Sequence, residues 1–227
     1  MYQLYIANKN YSSWSLRPWI LMRELGIAFT EHLMPFANGS SFTAFRSFSP
    51  TGQVPCLIDG DTRVWDSLAI TEYLAERHAG VWPSDTAART WARCAAAEMH
   101  SGFSALRTYC TMNCGLRVRL ATYPDALHRN VQRLQELWSE GLQQFGGPFL
   151  AGSAFSAVDA FYVPVAFRIQ TYGLELDTTS AAYATQLREL PNAREWYTAA
   201  LAETWREPGH EEEAQAAGEW VADLRAR

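Results

Sequence analysis

The chain has 227 residues, 48% of them hydrophobic and 13% aromatic, which is enough to bury one extended core or two modest ones. A formal charge of -5 offers no general attraction for nucleic acid or an anionic membrane, so phosphate-rich partners are set aside. No apolar run approaches the roughly 20 residues that span a bilayer, and MYQLYIANKN opens with no basic stretch ahead of an apolar one; a cytoplasmic protein is expected.

In chain order, YQLYIA is a short aromatic and β-branched run that predicts a first strand. Leu16, Trp19, Ile20 and Arg23 follow the 3.6-residue period and predict a helix from Trp14 to Leu25, with Gly26 at its C-terminal stop. AFTEHLMPF predicts a second strand. In VPCLIDGDTRVW, two apolar runs flank an Asp-Gly-Asp signal for a tight antiparallel hairpin. DSLAITEYLAERH predicts an amphipathic helix begun by a capping pair. This order, βαβ then ββα, favours an α/β domain over residues 1–78, and AGVWPSD, with Gly80 and Pro83, reads as a linker over 79–86.

Residues 87–227 read as an all-helical domain. Trp91, Cys94, Ala95, Met99, Phe103, Leu106 and Cys110 recur at helical spacing, as do Leu127, Val131, Leu134, Trp138, Leu142 and Phe145. A further helix is expected from Ser156 through Ile169, kinked at Pro164, and another from Pro191. The acidic HEEEAQ reads as a solvated helix face or frayed tail. Cys56, Cys94, Cys110 and Cys114 lack CxxC spacing and the five histidines are scattered, so reduced thiols and no metal are expected.

Three short stretches carry candidate chemistry. In SPTGQVPCL, a proline at the first position of a strand leaves the preceding Val54 backbone free to pair with a peptide-like ligand if the bond is cis, although a trans proline at a strand edge has the same local sequence. In WDSLAI, Asp66 and Ser67 precede a helix and could hold an amino-acid head group, the carboxylate against ammonium and the serine against carboxylate, or simply cap the helix. In NKNYSSWSLRPW, the hydroxyls of Tyr11, Ser12 and Ser13 fall near helix N-terminal donors, where an anion such as a thiolate is favoured and where capping is the other use.

Taken in register, SSWSLRPW, PTGQVPCL and DSLAITEYL, followed by GSAFSAVDAFYVPV with its Ser156-x-x-Asp159 capping relation, resemble the glutathione transferase superfamily, in particular its serine-type, zeta-like bacterial form. The resemblance covers most of residues 4 to 205. It implies an α/β thioredoxin-like N-terminal domain plus an all-α C-terminal domain, a homodimer, and glutathione as co-substrate attacking a small, largely apolar electrophile. Ser12 would be the activating hydroxyl, with Ser13 its rival and Tyr5, near the strand end, the position of the tyrosine-type classes. Val54 would pair with the cysteinyl backbone before a cis Pro55, Gln53 would assist at the tripeptide, and Asp66 and Ser67 would hold the γ-glutamyl end. Ser156 and Asp159 would serve folding.

Trp14 stands where the zeta-like form has a cysteine, which counts against maleylacetoacetate isomerase activity. The absence of any cysteine in this first loop also removes the nucleophile of glutaredoxin-like exchange and of cysteine-type dehydroascorbate reduction. The second substrate is expected between the halves, against Phe103, Arg107, Tyr109 and Arg168, with either arginine able to receive an acidic group. Isomerisation, dehalogenation and non-catalytic ligand binding are the alternatives to conjugation.

Overall fold

A computed structural model describes residues 1–37 and 40–226. β1 (Tyr2–Ile6) lies at the centre of the first half because its inward residues Leu4 and Ile6 are fully buried. It pairs in parallel with β2 (Phe29–Leu33), Tyr2 opposite Phe29, and the connection between them is α1 (Ser13–Glu24). On its other edge it pairs antiparallel with β3 (Cys56–Asp59), Leu4 opposite Leu57, and β3 folds back on β4 (Thr62–Val64). The sheet order is β2-β1-β3-β4. Gly60 takes φ 58° in the two-residue turn between β3 and β4, a conformation that explains the Asp-Gly-Asp signal.

α1 is buried on nearly every side, Leu16, Trp19, Ile20, Leu21 and Met22 included, because it is packed between the sheet and the helical half. A short α2 (Phe42–Phe45) precedes the hairpin, and α3 (Ser67–Ala75) follows it. Between the halves, Val81 and Trp82 are buried and the Val81 carbonyl accepts from Ala157 N–H at 2.8 Å. This connection is therefore part of the core rather than a loose tether.

The second half is helical. α4 (Thr86–Ser101) begins at Asp85, whose carboxylate accepts from Ala88 N–H at 2.8 Å. The continuous period expected over 91–110 is broken into α4 and α5 (Ser104–Tyr109). Phe103 adopts φ 55° at the break, and a Cβ on Gly102 would meet the Glu98 carbonyl at 2.7 Å. α6 (Asp125–Phe145) buries Leu127, Val131, Leu134 and Trp138 as its spacing predicts. α7 (Ala157–Tyr172) runs unbroken past Pro164 through the centre of this half, buried along almost its whole length.

The capping box of α7 is a hub. Asp159 Oδ2 accepts from Ser156 N–H at 2.9 Å, while Oδ1 accepts from Leu150 N–H at 3.0 Å and from the Tyr183 hydroxyl at 2.7 Å. Complete burial raises its carboxyl to about 6, with those donors pulling the other way.

α8 (Thr178–Glu189), α9 (Pro191–Ala202) and α10 (Pro208–Ala217) complete the helices. Helical periodicity did not anticipate the two-stranded ribbon that accompanies them, β5 (Leu116–Leu120) antiparallel to β6 (Gly218–Asp223). LRVRL buries Leu116 and Val118 and turns Arg119 outward, a period of two over only five residues. Among the described residues no helix is long and apolar enough to cross a membrane.

Candidate active site

The first wall of the site is the turn between β1 and α1. The Asn8 carbonyl accepts from Tyr11 N–H and Ser12 N–H, at 3.1 and 2.9 Å, and this fixes both serines at the start of α1. Ser12 is the N-cap residue, but its hydroxyl makes no cap bond; it donates to Ser15 Oγ at 2.8 Å. Ser15 Oγ also accepts from Ala7 N–H, at 3.3 Å. Ser13 Oγ accepts from Arg168 Nη2 on α7, at 3.1 Å. Both serines line a cleft of about 1290 Å³ between the halves.

A second wall comes from the approach to β3 and α3. Gln53, Val54 and Pro55 line the cleft, and the Val54–Pro55 bond is cis. Asp66 lines it as well. Its Oδ1 accepts from Leu68 N–H at 2.9 Å, capping α3, and its Oδ2 lies 3.3 Å from His100 Nε2 on α4. Burial is the main cause that lowers the His100 pKa, reinforced by Arg17 and Arg107 and opposed by Asp66. Ser67 is fully buried behind this wall, and its hydroxyl accepts from Arg17 Nη1 at 3.3 Å.

The helical wall is cationic. Arg107 donates from Nε to the Gly102 carbonyl at 3.0 Å and from Nη2 to the carbonyls of Met99 and His100, so the end of α4 holds the guanidinium still. Its plane lies over Trp14, 4.8 Å from the ring centroid, and Arg17 lies over the same ring at 4.2 Å. Arg17 is nearly wholly buried and touches Phe161 on its other contact, at 4.7 Å. Arg107 and Arg168 both line the cleft, together with Thr108, Thr111 and Met112.

Phe103 and Tyr109, expected with the two arginines against the second substrate, lie off the cleft lining. Phe103 starts the short α5 and turns into the core, where it is 6% exposed, whereas Tyr109 at the far end is 38% exposed. Tyr5 also lies off it, stacked between His32 and Phe48 at 4.5 and 4.3 Å. None of the four cysteines lines the cleft, and burial pushes the Cys56 and Cys110 thiols up to about 11 and about 12. No group of three or more metal-binding side chains occurs among the described residues.

Sequence reasoning missed the end wall. Glu207, His210 and Glu213, at and beyond the start of α10, line the cleft, so the acidic stretch read as a solvated tail is part of the site. The Tyr11 hydroxyl donates to Glu211 Oε1 at 2.6 Å, His210 stacks on Tyr11 and Phe36 at 4.8 and 5.0 Å, and Arg225 clamps Glu211 at 2.9 Å. The partners lie 14 and 200 residues from Glu211, beyond any local periodicity.

With this geometry in place, comparison with known proteins identifies its relatives. A model of the glutathione S-transferase N-terminal domain matches residues 11–77, and a model of the glutathione S-transferase C-terminal domain matches residues 118–199. The chain is similar to a dichloromethane dehalogenase of Methylophilus leisingeri, 41% identical over 59 residues that make up 25% of this chain and 22% of that protein. It is similar to a glutathione S-transferase of Arabidopsis thaliana, 30% identical over 59% of this chain and 56% of that protein. The matched stretches thus span from about a fifth to just over half of those relatives. In fold it matches a glutathione transferase homologue from Burkholderia, solved with bound glutathione, at a TM-score of 0.65 and 18% identity over 88% of this chain and 97% of that one.

Proposed function

From the premise that the chain belongs to the glutathione S-transferase superfamily, we propose that it is a glutathione transferase that ionises the tripeptide's thiol and directs the sulfur at a small electrophile. The observation that carries this reading is a single cleft that gathers the first-turn serines, the Gln53–Pro55 loop, Asp66 and two arginines of the helical half. Glutathione would lie extended, its cysteinyl backbone along Val54 and its γ-glutamyl ammonium against Asp66. Its sulfur would then reach Ser12 and Ser13. Ser67, fully buried and off the cleft lining, supports this end from its place under Asp66, its oxygen accepting from Arg17.

A free thiol titrates near about 8.5. Hydroxyl donors, the helix N-terminus and the cationic helical wall all favour the charged form, so more of the bound sulfur is nucleophilic at neutral pH. The thiol proton leaves to solvent, the sulfur lone pair forms a C–S bond, and the electrophile either accepts the electron pair or expels its leaving group. Arg107, held by three carbonyls with Nη1 unpartnered among the described bonds, suits an acidic group on that electrophile. The reading extends to a cytoplasmic homodimer.

Calorimetric titration with glutathione and a rate assay on a chlorinated nitroarene test it. Binding together with saturable conjugation is expected, and no association with glutathione would overturn it. A second reading, glutathione-dependent dehalogenation, is favoured by the 41% identity to a dichloromethane dehalogenase over 59 residues. Halide release from a dihaloalkane with glutathione recovered intact would support it over conjugation.

A further inference from the structure

Two adjacent serines reach the same cleft, and their hydrogen bonds are not equivalent. The Ser12 proton is directed inward, onto Ser15 Oγ at 2.8 Å, and this acceptor is held in place by Ala7 N–H. Ser13 is bonded the other way: its oxygen accepts from Arg168 Nη2 at 3.1 Å. A guanidinium has donors only, so this bond uses a lone pair of Ser13 and leaves its O–H free to donate. A hydroxyl that accepts from a cation is polarised toward stronger donation.

Arg168 is itself unusual. It is 5% exposed, and among the described residues it forms no ion pair with a carboxylate; its other bond is to the Cys110 carbonyl. The charged or titratable groups around it are Arg17 and Arg107, the Tyr172 phenol, the Cys110 thiol, and Glu213 of the end wall. Burial lowers its pKa to about 10, and it remains a cation at neutral pH. A buried cation without a counter-charge is costly unless an anion completes it. The cleft side of Ser13 is where the proposed thiolate would sit.

Resting on the transferase reading, we propose that Arg168 is a positioning residue that makes Ser13, rather than Ser12, the hydroxyl that donates to the glutathione sulfur. Arg168 holds the Ser13 oxygen from behind and supplies the positive charge that an ionised sulfur completes. Ser12, in this assignment, braces the turn through Ser15.

The test is the pH titration of thiolate absorbance in the enzyme–glutathione complex, for the wild type and for Ser12→Ala, Ser13→Ala, Arg168→Gln and Arg168→Lys. Ser13→Ala and Arg168→Gln are each expected to raise the apparent pKa of the bound thiol by about one unit, a tenfold loss of thiolate below that pKa. Ser12→Ala is expected to shift it by less than half as much. Arg168→Lys should recover part of the loss, and the Ser13→Ala/Arg168→Gln double variant should be scarcely worse than either single one. A folded, glutathione-binding Arg168→Gln with the wild-type titration would overturn the proposal. So would a larger shift in Ser12→Ala than in Ser13→Ala, a comparison that decides the matter even if Arg168 variants fail to fold. A wild-type complex whose thiol titrates like free glutathione would instead overturn the transferase reading beneath it.

Discussion

The two long walls of the cleft are built by different means. On the α/β side, Ser12, Ser13, Val54 and Asp66 are placed by the backbone within a few residues of themselves: an Asn8 carbonyl, a cis proline, a helix cap. On the helical side only Arg107 is held locally, by the end of α4; Arg168 and Glu211 of α10 are placed by partners far away in sequence, Ser13 for Arg168 at a separation of 155 residues and Tyr11 for Glu211 at 200. The first wall can therefore keep its geometry when a distant side chain changes, while the second depends on the integrity of the helical scaffold. A fold can hold one wall constant and vary the chemistry of the facing one.

The sharpest way to break that asymmetry is at Asp159, which touches nothing in the cleft. Asp159→Ala would leave Leu150 N–H, Ser156 N–H and the Tyr183 hydroxyl without their buried acceptor, a loss of about 3 kcal/mol or more. Denaturant unfolding should show it, and a wild-type midpoint would refute the hub role. The sign of the pH dependence follows from the raised carboxyl. Because its folded pKa of about 6 lies above the unfolded value, the native state binds the proton more tightly, and this stabilising term is lost as pH rises from about 4 to about 6. In Asp159→Asn that slope should disappear, leaving the difference from wild type smaller at pH 7 than at pH 4.

Next in size are changes that separate the walls. Asp66→Ala removes a carboxylate of the first wall and should weaken glutathione binding about tenfold, and the lost cap on α3 should separately cost roughly 1 kcal/mol of stability. Arg107→Gln acts on the second wall: the KM for a carboxylate-bearing electrophile should rise about tenfold against a change of less than twofold for an uncharged one. Steady-state kinetics with matched electrophiles reads this directly. Equal effects on both would mean that Arg107 only braces the end of α4.

The same division explains what was legible in the sequence. The βαβ–ββα order, the hairpin at Gly60, the helix after Asp66 and the capping pair Ser156 and Asp159 all announce themselves through spacing of two, three or four residues. Phe103 and Tyr109 flank Arg107 in the sequence, and residue type alone places them beside it. Phe103 sits at the left-handed break after α4 and turns into the core, while Tyr109, two residues past Arg107 on α5, falls on the opposite face of that helix. The β5–β6 ribbon joins strands about a hundred residues apart, each too short to outweigh the helical signal around it. The end wall is least legible of all. Three consecutive glutamates signal solvent, yet Arg225, whose side chain is 2% exposed, and the Tyr11 hydroxyl clamp one of them inside.

That clamp supports the smallest prediction. Burial, with Glu211 as hydrogen-bond acceptor and negative neighbour, pushes the Tyr11 phenol above its ordinary range, so it stays protonated and donates to Glu211 at any physiological pH. Tyr11→Phe removes that one donor, worth about 1 kcal/mol. It keeps the ring that stacks on His210, and Arg225 still holds Glu211. Hydrogen exchange should therefore quicken several-fold across α10 while the amides of α7 keep their protection. Because α10 forms the end of the cleft, the electrophile's KM should move with it, by no more than a few-fold. Unchanged exchange in α10 would mean that Arg225 and the His210 stack alone hold the end wall, and that the first turn makes no contribution to closing the site.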